Sequence, residues 1–191
     1  MIRHVEIAEE RHLETLRRCG GFYDCPISEG TGERMGPLVG YAGKYQGPNG
    51  LQLQWVGETY ANFAMAEIHP NVLLFFARCL ATKAESIIDI ADIDVLCGAP
   101  IGGYSLATAL GMITDNNVIK AEKKVTALAT ESAREKSKLV FGRHSVEKGL
   151  RYAIVEDVCN NFSTTEELIN LRRPGGCRRH CPRQRVMETQ G

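Results

Sequence analysis

Hydrophobic and polar positions change period several times along this chain, and each change marks an element. Val5, Ala8, Leu13, Leu16 and Cys19 share one helical face, which predicts a helix over residues 3 to 19, ended by Gly20-Gly21. Residues 24 to 50 are rich in Gly and Pro and include Tyr41 and Tyr45, so an irregular or hairpin-like stretch is expected. Leu51 to Met65 reads as strand, with Trp55 and Tyr60. Pro70 opens a helix, NVLLFFARCLATKAESI, with a strong apolar face. From there short strands alternate with helices: strand Ile93 to Cys97, a Gly-rich turn, helix Tyr104 to Ile113, a weak strand Asn117 to Lys120, and another at Val125 to Thr130. Residues 131 to 144 are charged and read as mobile, and Arg151 to Val155 is the last strand. Such alternation argues for an α/β fold built on a parallel sheet, with the long first part as a cap over its edge.

Composition narrows the field without choosing within it. The chain has 191 residues, enough for one domain with a sizeable core, and 43% of them are hydrophobic, which excludes a disordered chain. With 23 basic and 23 acidic residues the net charge is zero, so bulk charge gives no case for a nucleic-acid or membrane partner. No apolar run is long enough to span a bilayer. The N-terminus, MIRHVEIAEERHLETL, is charged and amphipathic, unlike a signal peptide, and a cytoplasmic location is expected. Seven scattered Cys, an odd number, read as reduced thiols rather than a disulfide frame.

Two segments carry candidate chemistry. Tyr152 to Leu168 reads YAIVEDVCNNFSTTEEL: an apolar strand is cut off by Glu156 and Asp157, a run of Asn, Ser and Thr follows, and a helix opens at Glu166. In open parallel sheets ligands lie beyond the carboxyl ends of the strands, and a helix N-terminus is an anion site. Two carboxylates for hydroxyls or a metal thus lie beside a phosphate cradle, and a ribose 5-phosphate would use both. The plainer alternative is a buried strand with an exposed acidic end and a Ser/Thr-capped helix. Asp94 to Gly111, DVLCGAPIGGYSLATALG, is a strand, a Gly loop and a helix, a second place where backbone amides approach an anion. It lacks the Gly-Lys-Ser/Thr of a Walker loop and matches a dinucleotide fingerprint poorly, and tight packing alone also accounts for it.

Together these segments resemble the orotate phosphoribosyltransferases of the type I phosphoribosyltransferase family. The resemblance covers residues 94 to 171 well and 51 to 93 loosely, through Tyr60-Ala61-Asn62 and Pro70. It implies a single domain: an N-terminal cap or hood with the first long helix (1–93), a parallel-sheet phosphoribosyltransferase-like core (94–171) and an atypical tail (172–191). By position, Glu156 and Asp157 would bind the ribose hydroxyls of phosphoribosyl pyrophosphate. Asn160, Asn161, Phe162, Ser163 and Thr164 would line the 5-phosphate loop, although Asn160-Asn161 stand where Thr-Thr is usual and Phe162-Ser163 where Gly-Gly is usual. Gly98, Ala99, Pro100, Ile101, Gly102 and Gly103 would hold pyrophosphate through their amides, with a strained or cis peptide fitting the family. Ala127 to Arg143, ALATESAREKSKLVFGR, would be a cationic lid, with Glu131, Arg134, Lys136, Lys138 and Arg143 at the matching positions and Lys136 and Arg143 assisting catalysis. Mg²⁺ would bridge pyrophosphate and ribose, with Asp157 the candidate protein ligand, and the lid of one subunit would serve a neighbour's site in a homodimer. The expected reaction joins orotate to the phosphoribosyl group, giving orotidine monophosphate. A purine phosphoribosyltransferase and a non-catalytic or regulatory protein that binds phosphoribosyl pyrophosphate or a nucleotide are the alternatives.

Other candidates have bland readings. His69 before Pro70 reads as a turn or substrate-proximal residue rather than a metal ligand, His144 as exposed or phosphate-touching, and Cys159 as a packed thiol. The tail, LRRPGGCRRHCPRQRVMETQG, is Arg-rich with almost no apolar periodicity. Where the family would place a Val-rich strand, that strand is missing. Suitable codons for Gly175 to Pro182 read one nucleotide later spell Gly-Ala-Val-Val-Gly-Ile-Val, so a non-native extension from about Arg172, poorly ordered, is expected. Cys177, His180 and Cys181 offer three ligands for zinc, which do not close a site.

Overall fold

The computed structural model describes residues 5–8, 11–128, 136–160 and 162–171. The chain divides into two compact units, Met1–Ala66 and Glu67–Gly191, so the long helix after Pro70 groups with the second.

In the first unit, helix α1 is His12–Arg18, shorter than the periodicity predicts, and residues 5–8 are not helical. The cause is Thr15, fully buried, whose Oγ1 accepts from the Ala8 N–H at 3.0 Å and donates to the Ala8 carbonyl at 3.2 Å. That side chain satisfies the incoming backbone, and a further helical turn is not needed to do so. Gly20 ends α1 at φ +76, as its position predicts. Strands β1 (Phe22–Asp24), β2 (Val39–Gln46), β3 (Gln52–Gly57) and β4 (Thr59–Ala61) follow. The stretch expected to be irregular or hairpin-like contributes one arm of a β2–β3 antiparallel hairpin, on which Tyr45 and Trp55 stack at 4.4 Å. β1 pairs antiparallel with β4. Helix α2 (Ala64–Glu67) leads into the second unit.

That unit is mixed α/β around a parallel sheet. Its elements are α3 (Pro70–Glu85), β5 (Val95–Gly98), α4 (Gly103–Thr114), β6 (Asn117–Lys120), β7 (Glu122–Ala127), β8 (Lys136–Val140), β9 (Tyr152–Val155) and α5 (Ser163–Leu171). His69 is the N-cap residue of α3, in extended backbone and without a side-chain capping hydrogen bond. The sheet order is β6-β5-β9, all parallel, and central β5 is buried throughout. A strand covered on both faces needs an unbroken apolar run, which Val95-Leu96-Cys97 supplies. Alternation sends Leu96 toward α4, where it lies close to Gly111, and Cys97 into a cluster with Ala99, Ala121, Leu139 and Leu168 of α5. At the amino end, Arg151 holds the register: its N–H donates to Asp94 Oδ2 at 2.6 Å, and its carbonyl accepts from Asp94 and Val95.

Two expectations need correction here. Residues 136–140, inside the segment read as mobile, form β8, antiparallel to β7. Their charges hide one anchoring residue: Leu139 is buried, and its N–H donates to Glu167 Oε1 at 2.7 Å, tying the arm to α5. Helix α5 opens at Ser163 rather than Glu166, because Phe162 takes φ +57 and its carbonyl accepts from the Glu166 N–H at 2.8 Å. The tail from Arg172, with Cys177, His180 and Cys181, lies outside the described residues, as do Glu131, Arg134 and Asn161. No helix among the described residues is long and apolar enough to cross a membrane.

Leu96 is fully buried in the central strand, whereas Met112 on α4 is 79% exposed. Leu96→Ala should therefore lower the unfolding free energy by about 2–5 kcal/mol in denaturant titration. Met112→Ala should change it by no more than about 0.5 kcal/mol.

Candidate functional site

The parallel register brings the two candidate segments together. Gly98, the last residue of β5, lies level with Val155, the last of β9, and the Ala99 N–H extends the ladder to the Val155 carbonyl at 2.9 Å. The Ala99–Gly102 turn and the Glu156-Asp157 pair therefore leave the sheet at one edge. Gly102 and Gly103 are fitted to that edge. A methyl group on Gly103 would overlap the Val155 carbonyl oxygen, and one on Gly102 would overlap the Asp157 carboxylate. The absence of a Cβ is what lets α4 begin directly against the end of β9. Asp157 consequently packs at the N-terminal end of α4, where the helix dipole favours a negative charge. The Pro100–Ile101 peptide is cis, the feature the resemblance implied for this loop, and Ile101 beside it is 78% exposed.

The two acids are held differently. Glu156 Oε2 accepts from Thr165 Oγ1 at 2.5 Å and from Cys159 Sγ at 3.8 Å. Thr165 is itself buried in the first turn of α5, so Glu156 is fixed by the helix that follows it. Cys159 is half-buried and acts here as a weak donor to a carboxylate. Asn160 is exposed, while Ser163 and Thr164 belong to the first turn of α5 rather than to a loop. Phe162 occupies the left-handed backbone region that glycine would take without cost.

A third carboxylate, absent from the sequence reading, joins them. Glu67, at the end of α2, interacts with Ser105 of α4 and with Asp157. Its Oε1 is buried without a hydrogen-bond partner among the described residues. Burial pushes its carboxyl above the usual range, the Ser105 hydrogen bond opposes this, and the Asp157 charge adds to the rise. Only the fold could reveal Glu67: it lies far from both motifs in the chain, in no pattern. Thr165 was hidden for a milder reason, as one of several Ser and Thr residues ahead of the helix.

The basic arm is placed less directly. Lys136 begins β8 opposite Ala127, and Lys138 pairs with Lys124 across the arm. Arg143 is 85% exposed and lies 3.3 Å from Glu122, rather than pairing with Glu156 or Asp157. His144 is half-buried. Among the described residues no group of three or more His, Cys, Asp or Glu is arranged to hold a metal ion. Neither a scan against protein-family models nor a search of curated proteins finds a match to this chain.

Two measurements test this account. Because the native state holds the Glu67 proton more tightly than the unfolded chain does, that group's contribution to stability is largest below the ordinary carboxylate range and falls as pH rises through it. Glu67→Gln should thus gain thermal midpoint relative to the native chain progressively from about pH 4 upward. An advantage that stays flat with pH would contradict the assignment. Phe162→Gly should be about 1 kcal/mol more stable than Phe162→Ala in denaturant titration, because both lose the half-buried ring and only the alanine keeps the left-handed strain.

Proposed function

We propose that this chain transfers a phosphoribosyl group from phosphoribosyl pyrophosphate to a nitrogenous base, with orotate the first candidate. The observation that carries the reading is the common edge, where the Gly98–Gly103 turn meets Glu156 and Asp157 through the Gly98–Val155 register. A donor with a 5-phosphate, a ribose diol and a pyrophosphate asks for two amide cradles separated by carboxylates, and the edge offers that order. The phosphoribosyltransferase-like core with an N-terminal hood belongs to the same proposal, as do a homodimer and a cytoplasmic location.

On this reading the first turn of α5 takes the 5-phosphate, with Ser163 and Thr164 adding hydroxyls to its amides. Glu156, oriented by Thr165, and Asp157 accept hydrogen bonds from the ribose hydroxyls. Displacement at the anomeric carbon passes through a state with positive charge on the sugar ring, and the two carboxylates stabilise that charge. The base nitrogen forms the new bond as the bond to pyrophosphate breaks, and the leaving group departs with the bonding electron pair. Holding both partners in line does most of the work. Bound Mg²⁺, reached from the protein side by Asp157, would neutralise the pyrophosphate. The β7–β8 arm, with Lys136, Lys138 and Arg143, would close over the donor and exclude water that would otherwise hydrolyse it.

A second reading, a non-catalytic sensor of the same donor or of a nucleotide, draws on one observation: Phe162 stands at φ +57 where the family has glycine. Pyrophosphate release measured with orotate and with purine bases separates the two, since a sensor binds the donor without turnover. Changing Glu156 and Asp157 together to Ala should abolish donor binding in calorimetry and lower turnover at least about 100-fold, with the circular dichroism spectrum retained. Unaltered donor affinity in that variant would refute the assignment.

A further inference from the structure

Among the described residues the β7–β8 arm is a two-stranded ribbon, and a ribbon of that size is marginally stable on its own. Its ladder sets Lys138 directly opposite Lys124, both exposed, and like charges facing each other across a strand pair oppose the pairing. The arm therefore depends on its anchorage outside the ladder. Leu139 supplies that anchorage twice. Its side chain is buried with Cys97, Ala99, Ala121 and Leu168, and Phe141 and Leu171 pack against the same cluster. Its N–H donates to Glu167 Oε1 on α5 at 2.7 Å.

Glu167 lies one helical turn past Ser163, the residue that opens α5. In that same turn the Glu166 N–H donates to the Phe162 carbonyl at 2.8 Å. A glutamate serving only solubility would extend into water. This one reaches a strand 28 residues earlier in the chain and takes a backbone N–H there. A carboxylate acceptor makes such a bond charge-assisted and stronger than one between neutral groups. The first turn of α5 and the arm thus meet through one rigid piece of helix. Steadying that turn steadies the acceptor of the Leu139 N–H, and a bound ligand that rigidifies one part of a fold favours order in the parts bonded to it.

We propose that Glu167 is a positioning residue that transmits occupancy of the first turn of α5 to strand β8, so that the arm and its Lys138 are steadied when the phosphate end of the ligand is in place. The proposal rests on the phosphoribosyl-transfer reading, which puts a phosphate on that turn. Glu167 touches no ligand and acts through the Leu139 N–H.

Ribose 5-phosphate is the probe, because it carries the phosphate and the diol and lacks the pyrophosphate that the arm would meet directly. Hydrogen exchange of the Leu139 amide is followed by NMR in the full chain, native, Glu167→Ala and Glu167→Gln, with and without saturating ribose 5-phosphate. In the native chain the sugar phosphate should slow that exchange about ten-fold. Glu167→Ala should bind ribose 5-phosphate within about two-fold of the native affinity in calorimetry, yet its Leu139 protection by the ligand should fall below about two-fold. Glu167→Gln, whose amide oxygen accepts the same bond, should recover most of the protection. Protection by the same factor in the native chain and in Glu167→Ala overturns the proposal, since a merely structural glutamate changes the rate alike in both ligand states. Should the alanine variant fail to fold, the native chain still decides: a Leu139 rate that bound ribose 5-phosphate leaves unchanged overturns the proposal. Absence of any ribose 5-phosphate binding by the native chain overturns the phosphoribosyl reading and this proposal together, whereas an indifferent Leu139 in a chain that binds the sugar phosphate overturns only the latter.

Discussion

The close approach of α4 to the end of β9 is the constraint on which the candidate site depends. Gly103 leaves room for the Val155 carbonyl and Gly102 for the Asp157 carboxylate, so the helix starts where the neighbouring strand stops. A side chain at either position would push the helix away from the edge or expel the carboxylate. The register of β5 with β9 sets up this meeting, and the Asp94–Arg151 bonds at the other end of the two strands hold it. With one residue of slip, the loop and the acids would leave the sheet at different levels, and buried Val155 would exchange faces with Ile154 and Glu156.

Gathering carboxylates beside an anion cradle creates an electrostatic conflict, and the fold handles each acid by a different route. Thr165 and Cys159 hydrogen-bond Glu156, the N-terminal end of α4 faces Asp157, and burial favours a proton on Glu67. A phosphorylated ligand would add further negative charge to this edge. On the proposed reading, cations would accompany or meet it: a metal ion carried by the ligand, the lysines and Arg143 of the arm, and Lys120 over the Tyr104 ring. In the proposed function the acids would orient a sugar and stabilise positive charge, while affinity for the phosphates would come from amides and cations.

How legible each part was in the sequence follows from the range of the interactions involved. The strand Asn117–Lys120, the helix after Pro70 and the Gly-loop helix could be read because their signals are local: apolar period, a proline at the first helical position, glycines at a turn. Helix α1 was overestimated because its apolar period continues through a segment whose backbone is taken by the Thr15 side chain. Strand β8 was missed because its lysines outweigh Leu139, whose burial depends on residues distant in the chain, in the cluster of Cys97, Ala99, Ala121 and Leu168. The early start of α5 depended on a backbone angle at Phe162 that its residue type disfavours.

The sequence by itself determined the α/β character of the second unit, the apolar central strand, the two glycine- and acid-bearing turns and the types of group they present, because these are written in adjacent residues. Tertiary structure alone decided that the two turns share one edge, that Glu67 comes to Ser105 and Asp157, that Thr165 fixes Glu156 and that Lys120 rests on Tyr104. Each of those is a meeting of residues distant along the chain or across a turn, set by strand register and helix packing, and no periodicity within either segment encodes it.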